Sequence, residues 1–205
     1  MRFVAALVAS IVLFSCSSHP ILAPDDTARA FAYQQRAADL RLRTSWDLSG
    51  KLSIDDGEDG GSGKLSWEVS DELSIMSFRG ALGRGAWKLD SGPGFAILSK
   101  ADGQISRANS VSELVETEVG WHIPINSLKW WVLGIAAPGE TGLTKLDSGG
   151  LLQELHQNGW RITFDRYRIF GKENLPVRIE AVNGPYRIKM AVSRWTFSSS
   201  NSTDE

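Results

Sequence analysis

Residues 45–54 have the sequence SWDLSGKLSI, and this stretch sets the pattern for the whole chain. Its large apolar residues are separated by polar or small ones and are Trp46, Leu48, Leu52 and Ile54. Side chains on one face of a β-strand recur at every second residue, whereas those on one face of a helix recur about every 3.6 residues. The stretch therefore predicts a strand with one apolar face.

The same alternation returns along most of the chain. Further strands are predicted over residues 65–69, 73–78, 87–89, 95–97, 151–157, 160–164, 177–181 and 186–192. Turns are predicted over 55–63, 91–94, 158–159 and 183–184, and a Gly- and Pro-containing loop over 136–148. The short connections favour antiparallel neighbours, and the two Asn-Gly pairs are strong hairpin signals. A curved, mostly antiparallel sheet with its apolar face inward is expected.

Three segments instead have the features of helices. Residues 25–43 are rich in helix-forming residues, and Asp25 or Asp26 can cap the start. Ser110 and Glu113 have the spacing of a capping box, and apolar residues follow at helical spacing. Another helix is predicted from Pro124 to Gly134. The last two helices are expected to lie over an opening of the sheet.

The first residues form a predicted lipoprotein signal peptide. Arg2 precedes an apolar run from Val4 to Phe14, and Ser15 precedes Cys16, the only cysteine in the chain. A lone cysteine has no intramolecular disulfide partner, so acylation of Cys16 is the preferred interpretation. An ordinary secretory signal with an incidental cysteine is the alternative. Because no aspartate follows Cys16, general lipoprotein sorting favours the outer membrane over the inner.

The chain is expected to divide into four parts. Residues 1–15 are the signal peptide, 16–24 a lipidated tether, 25–197 one β domain and 198–205 a polar tail. Removing the signal peptide takes away Arg2 and changes the net charge from −2 to −3. A chain without basic excess is not expected to bind nucleic acid.

No catalytic or metal-binding pattern is found in the sequence. The histidines His19, His122 and His156 lack the spacing of a metal site, and no nucleophile, base and acid form a recognisable motif. We therefore expect neither an enzyme nor a cofactor. The eight tryptophans leave two interpretations open, because they can line a cavity for an apolar ligand or fill a solid core.

The centre of the chain resembles one known family. Residues 123–128, IPINSL, followed by 131–134, WVLG, are similar to the central segment of the outer-membrane lipoprotein receptors of the lipoprotein localisation pathway, the LolB family. The early strand, the loop 79–83 (RGALG) and the hairpin at Asn158-Gly159 support the resemblance, which covers nearly all of the chain after Cys16.

The resemblance implies a mainly β protein with helices, an incomplete (open) antiparallel β-barrel of about 11 strands with a helical lid, related to the periplasmic lipoprotein carrier. It implies a lipid-anchored protein on the periplasmic face of the outer membrane, expected to be a monomer. Such a protein accepts client lipoproteins from the carrier, holds their acyl chains in a hydrophobic cavity and inserts them into the outer membrane. The candidate cavity residues are Trp46, Leu48, Trp67, Phe78, Trp87, Leu128, Trp131 and Trp160.

The resemblance also implies a membrane-insertion loop. Leu82, between Gly80 and Gly83, occupies the position of a protruding apolar residue in the family. Arg79 and Arg84 flank this loop and could contact lipid phosphates or simply increase solubility. An alternative function is that of an envelope assembly or structural lipoprotein that binds partner proteins through its sheet edge, with a solidly packed interior.

Overall fold

The structure is a computed structural model that describes residues 24–81, 85–119 and 124–197. Its helices are α1 (Pro24–Arg41), α2 (Val111–Val119) and α3 (Ile125–Trp131). Its strands are β1 (Ser45–Asp55), β2 (Gly60–Ser70), β3 (Leu73–Gly80), β4 (Trp87–Gly92), β5 (Phe95–Lys100), β6 (Ile105–Ala108), β7 (Leu143–Leu146), β8 (Leu152–Gln157), β9 (Trp160–Phe170), β10 (Glu173–Asn183) and β11 (Tyr186–Phe197). The predicted signal peptide, Cys16, the tail 198–205 and the loop residues Leu82, Gly83 and Arg84 lie outside the described residues.

The strands of the described residues form one antiparallel sheet in the order β6-β5-β4-β3-β2-β1-β11-β10-β9-β8-β7. Neighbours in the sheet are neighbours in sequence, except that β1 pairs with β11. Strands β6 and β7 are the two edges of the sheet and do not pair with each other. The predicted open antiparallel barrel of about eleven strands with helices is confirmed.

The alternation of residues 45–54 is interrupted once in the structure. Trp46, Leu48 and Leu52 are buried, and the register of β1 against β11 shifts between Ser49 and Gly50. A β-carbon at Gly50 would collide with the backbone carbonyl oxygen of Ala191. Glycine at this position therefore allows the bulge that bends the strand at the junction between the first and last strands.

Both predicted Asn-Gly hairpins are present, but the turn of the second lies one residue further along the chain than predicted. Asn158 and Gly159 have φ values of 54° and 76° and connect the paired residues Gln157 and Trp160. In the second hairpin Asn183 itself pairs with Tyr186, so the connecting residues are 184–185. Proline has no N–H to donate to a strand ladder, and Pro185 therefore moves this turn one residue along the chain.

Two other predicted connections are too long. Strand β2 already begins at Gly60, within the predicted turn, and β7 lies inside the predicted loop 136–148. Strand β6 was not predicted. Both β6 and β7 are short edges with exposed large residues, since Ile105 is 52% exposed and Leu143 77% exposed. Edge strands of this kind lack the apolar alternation on which the prediction rests.

The helices cover the inner face of the sheet. Tyr33, Ala37 and Leu40 of α1 are buried, as their spacing on one helix face requires. Helix α2 begins as predicted, with the Glu113 amide donating to Ser110 Oγ at 3.2 Å. The Glu113 carboxylate accepts from the Asn109 amide at 3.3 Å instead of from Ser110, so only half of the predicted capping box is present.

A lidded apolar cavity as the candidate functional site

A cavity of about 590 Å³ lies between the inner face of the sheet and helices α2 and α3. Its large apolar lining residues are Leu52, Ile54, Leu65, Met76, Trp87, Leu89, Leu98, Leu114, Val115, Ile125, Leu128, Ile188 and Met190. Small-molecule sites typically measure about 300–1,000 Å³ and are predominantly apolar. In both size and lining, this cavity fits a hydrophobic ligand.

The register of three strands builds the floor of the cavity. Met76 on β3 lies directly opposite Leu89 on β4, which lies opposite Leu98 on β5. Residues that are directly opposite in antiparallel strands share one face of the sheet. On the other side, Leu52 of β1 pairs with Met190 of β11. The floor is therefore a continuous apolar surface across neighbouring strands.

Helices α2 and α3 form the lid of the cavity. The chain that directly follows α3 is held in place by buried hydrogen bonds. The buried Gln157 side chain accepts hydrogen bonds through Oε1 from Trp131 Nε1 at 2.8 Å and from the Ala137 amide at 2.9 Å. Its Nε2 donates to the carbonyl oxygen of Ala137 at 3.0 Å. A buried polar group with its partners in place holds a single arrangement, because breaking it leaves groups unsatisfied.

Arg36 of α1 also holds the chain that follows α3. Its guanidinium donates to the carbonyl oxygens of Gly134, Leu133 and Asn174 at 2.9, 2.9 and 2.8 Å. Burial lowers the pKa of Arg36 and raises the pKa of the neighbouring Tyr167 hydroxyl. The chain that follows α3 is thus fixed to both α1 and β10.

Helix α2 is held at the cavity rim by an ion pair. Lys100 Nζ of β5 lies 2.6 Å from Glu118 Oε2 of α2, and both residues line the cavity. Hydrogen bonds from Lys100 and Ser106 lower the pKa of the Glu118 carboxyl. The pair joins the lid to the sheet at the mouth, where solvent weakens such interactions.

Replacing Glu118 by glutamine is expected to speed exchange of an apolar fluorophore from the cavity by up to about fivefold, since an ion pair that solvent still reaches contributes little. The lowered pKa keeps the carboxylate charged at neutral pH, so acid should speed exchange in the wild type only as the pH falls through that pKa. Stopped-flow displacement measures the rate. Asp90→Asn, which breaks the Lys88–Asp90 pair of 2.6 Å on β4, is the control. An equal rise in both variants would contradict a role in the lid.

The predicted cavity residues divide into two groups. Trp87 and Leu128 line the cavity, and Phe78 stacks on Trp87 with ring centroids 5.4 Å apart. The residues that the structure places in the packed core, outside the cavity lining, are Trp46, Leu48, Trp67, Trp131 and Trp160. The tryptophan rings of this group pack against other aromatic rings, as Trp46 does against Trp67 with ring centroids 5.3 Å apart. Of the predicted tryptophans, Trp87 therefore lines the cavity, and the other four pack in the core.

Several lining residues were not predicted. Met76, Leu98 and Met190 lie on strands, and Leu114 and Val115 lie on α2. The alternation of the strands and the helical spacing in α2 identify their inward faces. What the sequence lacks is the strand register, which decides which inward residues surround empty space.

Within residues 24–81, 85–119 and 124–197, no group of three or more His, Cys, Asp or Glu residues is placed so that it could hold a metal ion. In the same part of the chain, none of the helices combines the length and the apolar character needed to cross a membrane.

Solved structures of other proteins share the architecture of this chain. The fold is similar to that of a LolA superfamily protein from Nitrosomonas europaea, with a TM-score of 0.53 at 10% identity, covering 83% of this chain and 94% of the other. It is also similar to a putative outer membrane lipoprotein-sorting protein domain from Vibrio parahaemolyticus, with a TM-score of 0.50 at 7% identity and the same coverage. This chain therefore shares the fold of these two proteins.

Sequence comparisons identify the family to which the chain belongs. Residues 44–195 match the family model described as outer membrane lipoprotein LolB. The LolB protein of Alkalilimnicola ehrlichii is 31% identical over 95% of this chain and 96% of its own length, and that of Marinobacter nauticus is 33% identical over 80% of each chain. The chain belongs to the LolB family of outer-membrane lipoproteins.

The matching family model and the two relatives confirm both the predicted LolB family and the predicted location at the outer membrane. It places the protein among the receptors of lipoprotein localisation, which are not a known enzyme family.

Proposed function

We propose that this protein accepts acylated client lipoproteins from a periplasmic carrier, holds their acyl chains in the lidded cavity and inserts them into the outer membrane. The observation that carries the proposal is the cavity itself, whose floor and lid are apolar and whose charged residues include the rim pair Lys100–Glu118. The alternative function, binding partner proteins through the sheet edge of a protein with a solid interior, would not require this cavity.

The energetics of acyl chains explain why such a container is needed. Moving one buried CH₂ into water costs about 0.8 kcal/mol, so a free acyl chain in the periplasm is strongly disfavoured. Transfer between two apolar cavities avoids this cost, and release into a bilayer removes the chain from the cavity. Direction requires only that the acyl chain binds more favourably at each successive site.

The two ends of the lid differ in a way that suits loading and release. The segment after α3 is fixed by Gln157 and Arg36, whereas the half-buried Lys100–Glu118 pair joins α2 to β5 at the mouth. We infer that α2 moves while α3 stays in place. Movement of α2 would open the cavity beside Lys100 without breaking the buried hydrogen bonds.

The chain reaches the membrane through two features in this proposal. Acylation of Cys16, after removal of residues 1–15, would tether residues 25–197 through the segment 16–24, and the tail 198–205 would follow the domain. Two or more acyl chains on one cysteine give stable anchoring. The second feature is the loop containing Gly80, Leu82 and Gly83, which would insert the client. Gly85 and Ala86, which follow these residues in the sequence, line the cavity.

Replacing Leu82 by glutamate is expected to leave client acceptance unchanged and to reduce delivery to liposomes about tenfold or more, because a charge does not enter the apolar part of the bilayer. A reconstituted assay measures both steps, first as transfer of a labelled lipoprotein from the carrier and then as its appearance in vesicles. Leu143→Glu, at a leucine that is 77% exposed on edge strand β7, is the matched control.

Two outcomes would count against the proposal. Failure of the wild-type protein to take a client from the carrier would refute the receptor function. Equal loss of acceptance and delivery in Leu82→Glu would refute only the role of the loop.

A further inference from the structure

A broad groove of about 1080 Å³ crosses the outward face of the sheet. Its lining includes the exposed cations Lys51, Lys64, Arg79, Arg168 and Arg194, and none of the described residues that line it is Asp or Glu. The whole chain carries a net charge of −2. The groove therefore concentrates positive charge. Lys51, Lys64 and Arg79 also line a neighbouring recess of about 900 Å³, whose carboxylates Asp165 and Glu180 lie within ion-pair distance of other cations, Arg178, Arg187 and Lys189.

Three of these cations form a ladder across neighbouring strands. Lys51 of β1 lies directly opposite Lys64 of β2, which lies directly opposite Arg79 of β3. Like charges directly opposite each other destabilise a sheet. Among the described residues, these three side chains have no carboxylate within ion-pair distance to offset this repulsion. A bound anion would provide the missing counter-charge.

The groove is continuous with the mouth of the cavity. Ala86, Trp87, Lys100 and Ala101 line both of them. Arg79 also directly precedes the loop that carries Leu82. An anionic surface lying against the ladder would therefore also lie beside the opening of the cavity.

We propose that the ladder Lys51–Lys64–Arg79 binds the phosphate groups of anionic phospholipids and so turns the mouth of the cavity toward the membrane. Basic residues near an anionic bilayer surface are each attracted to it, and the attraction falls off within a Debye length. The family places this protein at the outer membrane, so a phospholipid surface is always within reach. The proposed phosphate binding does not depend on the proposed function, whereas its benefit for client delivery rests on that function.

Amine footprinting of the mature acylated protein tests the proposal. The protein is reconstituted in vesicles of phosphatidylcholine alone or mixed with phosphatidylglycerol, and an amine-reactive reagent and mass spectrometry give the labelling rate of each lysine. Phosphatidylglycerol is expected to slow labelling of Lys51 and Lys64 about fivefold, and high salt to abolish the effect. Lys172, an exposed lysine outside the groove, serves as the internal control.

Two charge reversals sharpen the test. Arg79→Glu is expected to remove most of the protection of Lys51 and Lys64, whereas Arg161→Glu, at an exposed arginine of β9 outside the groove, is expected to preserve it. Equal labelling in both kinds of vesicle would overturn the proposal. Protection that appears only when the carrier is added, and not with lipid, would also overturn it in favour of an acidic protein surface.

Binding of an apolar fluorophore is measured in the same preparations. Intact fluorophore binding without lysine protection would overturn the ladder and leave the proposed function standing. Lysine protection without fluorophore binding would support the ladder and count against the cavity.

Discussion

Replacing Leu98 by tryptophan is expected to abolish acyl-chain binding while leaving the fold intact. Leu98 is half-buried, lines the cavity and lies opposite Leu89 in the floor. An indole at this position would occupy space that methylenes of the ligand need. Excluding four methylenes at about 0.8 kcal/mol each corresponds to a loss of affinity of about 100-fold or more.

Titration with a fluorescent diacylated lipopeptide measures this loss, and thermal unfolding checks the fold. Leu143→Trp is the matched control because it adds the same volume at a leucine that is 77% exposed and outside the cavity. It is expected to bind like the wild type. Wild-type affinity in Leu98→Trp, with unfolding unchanged, would show that the ligand binds elsewhere.

Replacing Trp131 by alanine is expected to lower the free energy of unfolding by about 3–5 kcal/mol, the range for large aromatic residues in a core. The side chain is fully buried, its ring centroid lies 6.4 Å from that of Trp160, and its Nε1 donates to Gln157 Oε1. Truncation leaves a void and removes the hydrogen bond to Gln157 that helps to hold the chain after α3 in place. Urea unfolding followed by circular dichroism measures the change.

The neighbouring tryptophan provides a control within the same helix. Trp130 is half-buried and lies beside Lys129, whose Nζ is 5.9 Å from its ring centroid. Trp130→Ala is expected to cost less than half as much as Trp131→Ala. Equal costs would contradict the claim that Trp131 is a core residue whereas Trp130 is only half-buried.

Much of the fold could be predicted because local pattern and global fold agree. The alternation around Trp46 and Leu48, the Asn158-Gly159 turn and the capping residue Ser110 each have one low-energy solution, and the structure adopts it. Edge strands β6 and β7 could not be predicted, since their pairing depends on the neighbouring strand more than on their own apolar residues.

The candidate site could be predicted only in part, for a different reason. Alternation shows that Trp67 and Trp87 both face inward, but it does not show what lies across from each of them. Trp67 meets Trp46 and donates a hydrogen bond to Ser74 Oγ at 2.8 Å, so its surroundings are filled. Trp87 faces the space under α2. Whether an inward face is filled or empty depends on side chains distant in sequence.

The central claim is that acyl chains enter the cavity beneath α2. Its most direct test is photo-crosslinking with a lipopeptide whose acyl chains carry a diazirine, followed by mass spectrometry of the labelled peptides. The account predicts labels on cavity residues such as Met76, Leu98 and Val115, which excess unlabelled lipopeptide removes. Labels confined to the outward face of the sheet, or unaffected by competition, would contradict it.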